Sequence, residues 1–200
     1  MTIRPGRPWE RPLEAPCTAD ALADDAALAA AVAAGGQGPF AVAAGDLYRA
    51  VGSPGGTTYH HAVPVDALEV RLDDTDARVA VAHVVARRPG TLGWWRGRIV
   101  AVCNVDYIGA WNVAPRAHPN DGRIDVVDVA ATMPLRARWE ARRRLPLGTH
   151  VPHPDITTRS ARQIDLEFGE PMAVWLDGAP AGTARTVRVT VRPDAFELLI

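Results

Sequence analysis

Asn104-Val-Asp-Tyr-Ile-Gly-Ala-Trp-Asn-Val-Ala-Pro-Arg-Ala-His-Pro-Asn-Asp-Gly-Arg-Ile-Asp125 is the stretch on which the reading of the fold turns. Pro115 and Pro119 fix the backbone at two points. Asn120-Asp121-Gly122 reads as a tight turn that sets a carboxylate beside backbone carbonyls. Oxygen donors of that kind suit a hard cation, and an Asx turn without metal is the alternative. The stretch is flanked by apolar, β-branched runs at Arg98–Val105 and Arg123–Ala130, both of which read as buried strands.

Moving toward the C-terminus, Met133–Leu145 is the clear helix of this half. Arg162–Phe168, Met172–Leu176, Thr186–Arg192 and Ala195–Leu199 then read as strands. In Thr186–Arg192, Val187, Val189 and Val191 alternate with Arg188, Thr190 and Arg192, as a strand with one buried face requires. Moving toward the N-terminus, Arg78–Ala86 and Ala67–Leu72 extend the pattern. Many short strands, frequent Gly/Pro turns and one helix predict a β-sandwich or split sheet.

The first quarter differs. Residues 1–17 are Pro-rich and predict an extended arm. Thr18–Asp20 caps an Ala-rich helix over 19–34, stopped by Gly35-Gly36. Pro39–Ala43 reads as a buried strand and Gly45–Gly52 as a short helix. The fold class is therefore α/β and predominantly β: an arm (1–17), a short α/β unit (18–56) and a β-domain (57–200).

Net charge is −1, so no overall field draws the chain to nucleic acid. All 22 basic residues are Arg, which removes lysine chemistry such as Schiff bases. Cys17 and Cys103 form no disulfide framework, and the N-terminus lacks the apolar core of a signal peptide. A cytoplasmic protein is expected, with a peripheral contact at the inner membrane face as an extension.

Asn104–Asp125 resembles the segment N-x-x-x-x-G-x-x-x-x-A-P-x-A-x-x-x-D-G-x-x-D of the diacylglycerol-kinase-like family of bacterial lipid kinases and sphingosine kinases. Gly148-Thr-His-Val-Pro-His-Pro154 is similar to its G-x-H-x-x-H-P, and Trp175-Leu-Asp-Gly178 to its x-x-D-G-E. The resemblance spans about residues 98–200. It implies the family's C-terminal β-sandwich-like domain, preceded by a truncated remnant of a nucleotide-binding domain. It also implies a Mg²⁺ held by the Asp121 carboxylate and the backbone carbonyls of His118 and Arg123.

The departures bear on activity. No G-G-D-G-T phosphate loop occurs in the sequence, so ATP binding is not expected. The G-T-G-N-D-F-A-R loop has a partial counterpart in Ala43–Arg49, where Asp46 and Arg49 match. The family's Glu, the implied base for the lipid hydroxyl, is replaced by Ala179. Loss of a general base removes about 10²–10⁴-fold in rate. Asp177 is the remaining candidate base, and a structural turn is its other reading.

Three functions stay open. The first is a non-catalytic relative that binds a lipid or other hydrophobic molecule. The second is the acceptor half of a two-chain lipid kinase, with a nucleotide-binding partner protein. The third is a structural or regulatory homodimer. Trp94, Trp95, Trp111 and Asn104 are the candidate ligand-binding residues. Adjacent tryptophans in a strand-like turn cannot both face inward, so one of Trp94 and Trp95 is expected at the surface. The arginines around Trp139 fit either a solvated helix with snorkelling stems or an interfacial helix. His150, His153 and Asp155 have zinc-like spacing, but the prolines between them favour a structural reading.

Overall fold

The structure, a computed structural model, describes residues 9–200. Its strands are β1 (Arg11–Thr18), β2 (Ala21–Leu22), β3 (Ala41–Val42), β4 (Thr58–Leu72), β5 (Arg78–Ala80), β6 (His83–Arg87), β7 (Ile99–Cys103), β8 (Tyr107–Ile108), β9 (Trp111–Asn112), β10 (Ile124–Val129), β11 (Ile156–Ala161), β12 (Gln163–Leu176) and β13 (Ala179–Leu199). The α-helices are α1 (Asp25–Ala33), α2 (Asp46–Ala50) and α3 (Leu135–Arg144).

Nine strands form one antiparallel sheet in the order β1-β4-β13-β12-β6-β7-β10-β11, with β5 on β4. Period-two alternation gives it two apolar faces. Val84 and Ala86 of β6, Val100 and Val102 of β7, and Ile124 and Val126 of β10 join one core. Val85, Ala101, Cys103 and Val127, from the intervening positions, join another under α3. The first core also holds Leu68 of β4, at the far end of the strand order, so the sheet curls over itself into a sandwich-like body.

Two places where the sequence predicts a strand break are crossed by continuous strands. The β12–β13 ladder shifts register between Glu167 and Met172, at Gly169–Pro171. The β13–β4 ladder shifts between Arg192 and Phe196, at Pro193-Asp194. Pro and Gly there build irregularities that bend the strands instead of ending them. Conversely, the single strand expected over Arg78–Ala86 is split at Val81-Ala82 into β5 and β6.

The N-terminal expectations are also redrawn. Of the predicted arm, residues 1–8 lie outside the described residues, and Arg11–Thr18 pairs with β4. The expected helix start at 18–20 instead holds the end of β1 and the link to β2; α1 begins at Asp25, where the Asp24 side chain accepts the Ala27 N–H at 2.9 Å. β2 and β3 pair in parallel around α1, a small β-α-β unit. This unit shares a core with the sheet: Leu28, Val32 and Leu47 pack with Val63, Val65, Phe196 and Leu198. Truncating such a buried side chain to Ala costs about 2–5 kcal/mol. No described helix is long and apolar enough to cross a membrane.

Candidate functional site

The face of the sheet beneath α3 is not completely filled. A cavity of about 110 Å³ lies between Val85, Ala101 and Val127 of the sheet and Ala141 and Leu145 of the helical segment. Trp94, Trp95 and Trp111 all line it. They reach it from two separate elements: the 3-10 turn Thr91–Trp94 with its following residue, and β9. The turn can lie this close because Gly93 has no side chain. A Cβ there would sit 2.0 Å from the Arg88 carbonyl oxygen. Trp94 and Trp111 meet edge to face at 5.9 Å. The Arg87 guanidinium lies 5.0 Å from the Trp94 ring centre and 4.3 Å from that of Trp175. Trp94 is exposed and Trp95 half-buried.

Two polar side chains with almost no exposure also border the cavity, Arg138 at 5% and His150 at 3%. Neither was singled out as a ligand contact from the sequence. Arg138 lies in an arginine-rich helix whose basic residues read as a solvated face, yet it turns inward. Its Nε donates to the Met133 carbonyl at 3.1 Å, and its Nη2 to the carbonyls of Gly97 and Ala130. Burial lowers its pKa. Arg142, one turn on and exposed, stands 5.4 Å from the Trp95 ring and 5.1 Å from that of Trp111.

Asn104 does not join this cavity. It is wholly buried, and its Nδ2 donates to the carbonyls of Asp66 at 2.9 Å and Val81 at 2.8 Å. It ties together β4, the β5–β6 bend and the start of the connection from β7 to β10, residues 104–123. Asp66, also wholly buried, does the same for the connection's far end. Its carboxylate accepts the N–H groups of Gly122 at 2.7 Å and Asp194 at 2.9 Å. Burial raises its pKa against the pull of those bonds.

At the Asn120–Gly122 turn, Asp121 Oδ1 accepts the Arg123 N–H at 2.9 Å, the geometry of an Asx turn. The Asn120 Oδ1 atom is buried without a partner. Burial raises the carboxyls of both Asp121 and Asp125, and the charge of Asp121 adds to the rise at Asp125. Arg123 acts against the rise at both carboxyls and Arg116 against that at Asp125, so what the turn offers a hard cation such as Mg²⁺ is oxygen donors more than net charge. Asp121 and the carbonyls of His118 and Arg123 are the groups that would hold it. The zinc-like spacing farther on is not assembled: His153 Nδ1 accepts the Asp155 N–H at 3.1 Å, while His150 lies at the cavity. Among the described residues, no three His, Cys, Asp or Glu side chains converge to hold a metal.

A third polar cluster joins the α/β unit to the sheet. Asp25 accepts the N–H groups of Asp46 at 2.6 Å and Leu47 at 3.3 Å, serving as the N-terminal cap of α2. Burial pushes its carboxyl up to about 6. Asp46 faces the other way, 3.0 Å from His83 Nε2, and accepts the Gly109 N–H at 2.9 Å. Burial would raise Asp46, but the bonds from His83 and Gly109 hold it below its ordinary value. Asp177 completes the cluster by accepting the N–H groups of Val81, Ala82 and His83, each at 2.9 Å. Burial raises its carboxyl against those bonds. Ala179 opens β13 and is exposed.

Residues 62–200 match the family described as the YegS C-terminal NAD kinase beta sandwich-like domain. The chain belongs to this family. The resemblance carried by Asn104–Asp125 is thus to the right group, the C-terminal β-domain of the diacylglycerol-kinase-like proteins. A diacylglycerol kinase from Bacillus anthracis str. Sterne superposes with a TM-score of 0.54 at 16% identity, over 80% of this chain and 65% of that one. A second structure from that organism, assigned as a diacylglycerol kinase, gives a TM-score of 0.55 at 13% identity, over 70% of this chain and 58% of the other. At such identities the likeness is one of fold. The chain spans less than two thirds of the length of either structure. No curated protein matches the sequence.

Proposed function

We propose that this lipid-kinase-like protein binds a hydrophobic ligand in the cavity under α3 without transferring a phosphate itself. The observation that carries the reading is the convergence of Trp94, Trp95 and Trp111 on one apolar cavity of about 110 Å³. Ligand pockets are typically concave and apolar with a few fixed polar groups, and Arg138 and His150 supply those here. At about 110 Å³ the cavity is smaller than the apolar void of about 150 Å³ that takes benzene, so it suits part of a chain and not a bulky ring system. Non-catalysis rests on Ala179, which cannot take a proton, and on Asp177, whose carboxylate is already engaged by three backbone N–H groups.

The test is native mass spectrometry of gently purified protein, paired with thermal melts in the presence of single-chain amphiphiles. A co-purifying hydrophobic molecule, or a clear rise in Tm, supports the reading. Absence of both sinks it.

One observation favours the two-chain kinase. Among the described residues β2 and β3 form a parallel sheet of two strands, joined to β13 through the Phe40–Leu198 bridge, whereas parallel sheets ordinarily lie buried within larger ones. Further strands from a nucleotide-binding polypeptide would complete it. Pull-down of an ATP-binding partner, followed by phosphorylation of a lipid by the reconstituted pair, would favour this reading over the first.

A further inference from the structure

The Arg138 side chain poses a problem that the fold alone does not solve. It is a cation with 5% exposure; the charge of Asp155 acts on it, but the two make no direct ion pair among the described residues. Carbonyl oxygens engage Nε and Nη2, but Nη1 is buried without a partner. Burying an unpaired charge is costly, and each unmet donor adds to the cost. His150 lies on the same cavity. The Val113 backbone approaches its ring, yet neither ring nitrogen completes a hydrogen bond. Burial lowers its pKa, so at neutral pH it is an uncharged ring with one N–H to donate. The remaining lining is apolar or aromatic except for Arg142.

We propose that the ligand is a single-tailed anionic amphiphile, whose carboxylate or phosphate head is held by Arg138 Nη1 and the His150 ring N–H while its tail lies among Trp94, Trp95 and Trp111. The inference rests on the reading of the cavity as a ligand site and narrows it to a chemical class. An anion answers both deficits at once, because it neutralises the guanidinium and accepts from the two unmet donors. Charge-assisted bonds of this kind are roughly twice as strong as neutral ones, and the planar guanidinium suits a carboxylate or phosphate edge. A neutral alcohol with the same tail can accept from both donors through its two lone pairs but leaves the guanidinium without a counter-charge, and its bonds lack charge assistance. Arg142, between Trp95 and Trp111 on the exposed side, adds positive potential along the route of entry.

The experiment titrates the full chain with octanoate, octyl phosphate and octan-1-ol at pH 7.5, following tryptophan fluorescence. The expected result is that at least one anion binds ten-fold or more tightly than the alcohol. The tighter of the two anions identifies the head as carboxylate or phosphate. Arg138→Met should abolish that preference, bringing the anion's affinity to or below the alcohol's. Equal affinity for all three ligands overturns the anionic class but leaves the hydrophobic site standing. Binding of none overturns the cavity reading itself. Retention of the full preference in Arg138→Met also overturns the assignment. Should that variant fail to fold, His150→Gln and the anion-to-alcohol ratio of the unaltered protein decide: a ratio near one in the latter overturns the proposal, and a ten-fold ratio that falls in His150→Gln supports it.

Discussion

The Asp177 carboxylate is bonded to the backbone N–H of His83 at 2.9 Å, and the His83 carbonyl in turn accepts the Asp177 N–H at 3.0 Å. This reciprocal pair, with further bonds from Val81 and Ala82, holds the bend between β5 and β6 against the β12–β13 turn. Asp177 has φ 48, a left-handed conformation that Asp tolerates better than most residues. Replacing Asp177 with Ala strips three buried donors of their acceptor, and unmet buried donors cost about 1–3 kcal/mol each. The net loss should be roughly 3 kcal/mol, less where water enters. Chemical denaturation of Asp177→Ala checks this. A midpoint equal to that of the unaltered protein would contradict the structural role and return Asp177 to consideration as a base.

Asp25 makes stability depend on pH. Its folded pKa, about 6, lies above the ordinary 3.8, so the native state holds the proton more tightly than the unfolded chain does. The associated stabilisation is complete below about pH 4 and is lost as pH rises through 6. The difference corresponds to roughly 3 kcal/mol. Asn at this position keeps an acceptor for the Asp46 and Leu47 N–H groups and cannot ionise. Asp25→Asn should therefore be more stable than the unaltered protein at pH 8 and lack its decline between pH 4 and 7. Melting curves across that range decide the matter; parallel curves would contradict the assignment.

The features visible in the sequence were those written in local patterns. Alternation in Thr186–Arg192 and the β-branched run before Asn104 both became strands of the main sheet. The spaced Gly, Pro and Asp residues of Asn104–Asp125 pointed to the family. Features depending on distant partners were hidden. Asp66 interrupts the apolar run Val63–Leu68, and a lone acid at an inward strand position was the available signal of a buried role. Its partners Gly122 and Asp194 are 56 and 128 residues away. Arg138 gave no such signal, because it is one of five arginines in a short helix and only the docking of α3 decides which turns inward. Pro193-Asp194 read as a strand end because its local chemistry breaks a ladder. The Asp194 N–H is satisfied by Asp66 instead, so β13 continues.

Mg²⁺ binding at the Asn120–Gly122 turn should appear as a rise in Tm on adding millimolar Mg²⁺. A ligand at 100 times its Kd stabilises by about 2.7 kcal/mol. Since burial raises the Asp121 carboxyl, protons compete with the cation as pH falls, and the rise should be larger at pH 7.5 than at pH 5. Asp121→Asn should abolish it while retaining the acceptor for the Arg123 N–H. An equal rise in the variant would place the effect elsewhere.

The outer side of α3 sets exposed apolar side chains among arginines. Leu135 and Trp139, one turn apart, are each about half exposed, and Leu147 just beyond the helix is exposed at 77%. Arg143 lies 4.8 Å from the Trp139 ring, and Arg136 and Arg144 are exposed on the same helix. Exposed apolar groups rimmed by arginine fit the headgroup region of a bilayer, where each basic residue contributes about 1 kcal/mol next to anionic lipid. Arg142, on the same helix, also lines the cavity beside Trp95 and Trp111. The protein should therefore co-sediment with vesicles containing phosphatidylglycerol and not with pure phosphatidylcholine. Trp139→Ala should weaken binding through loss of apolar contact. Arg143→Ala should weaken it and reduce its salt dependence. These are surface changes, so circular dichroism should stay unaltered and separate lost binding from lost folding. Equal sedimentation of both variants with the unaltered protein would show that α3 is merely a solvated face with snorkelling arginine stems.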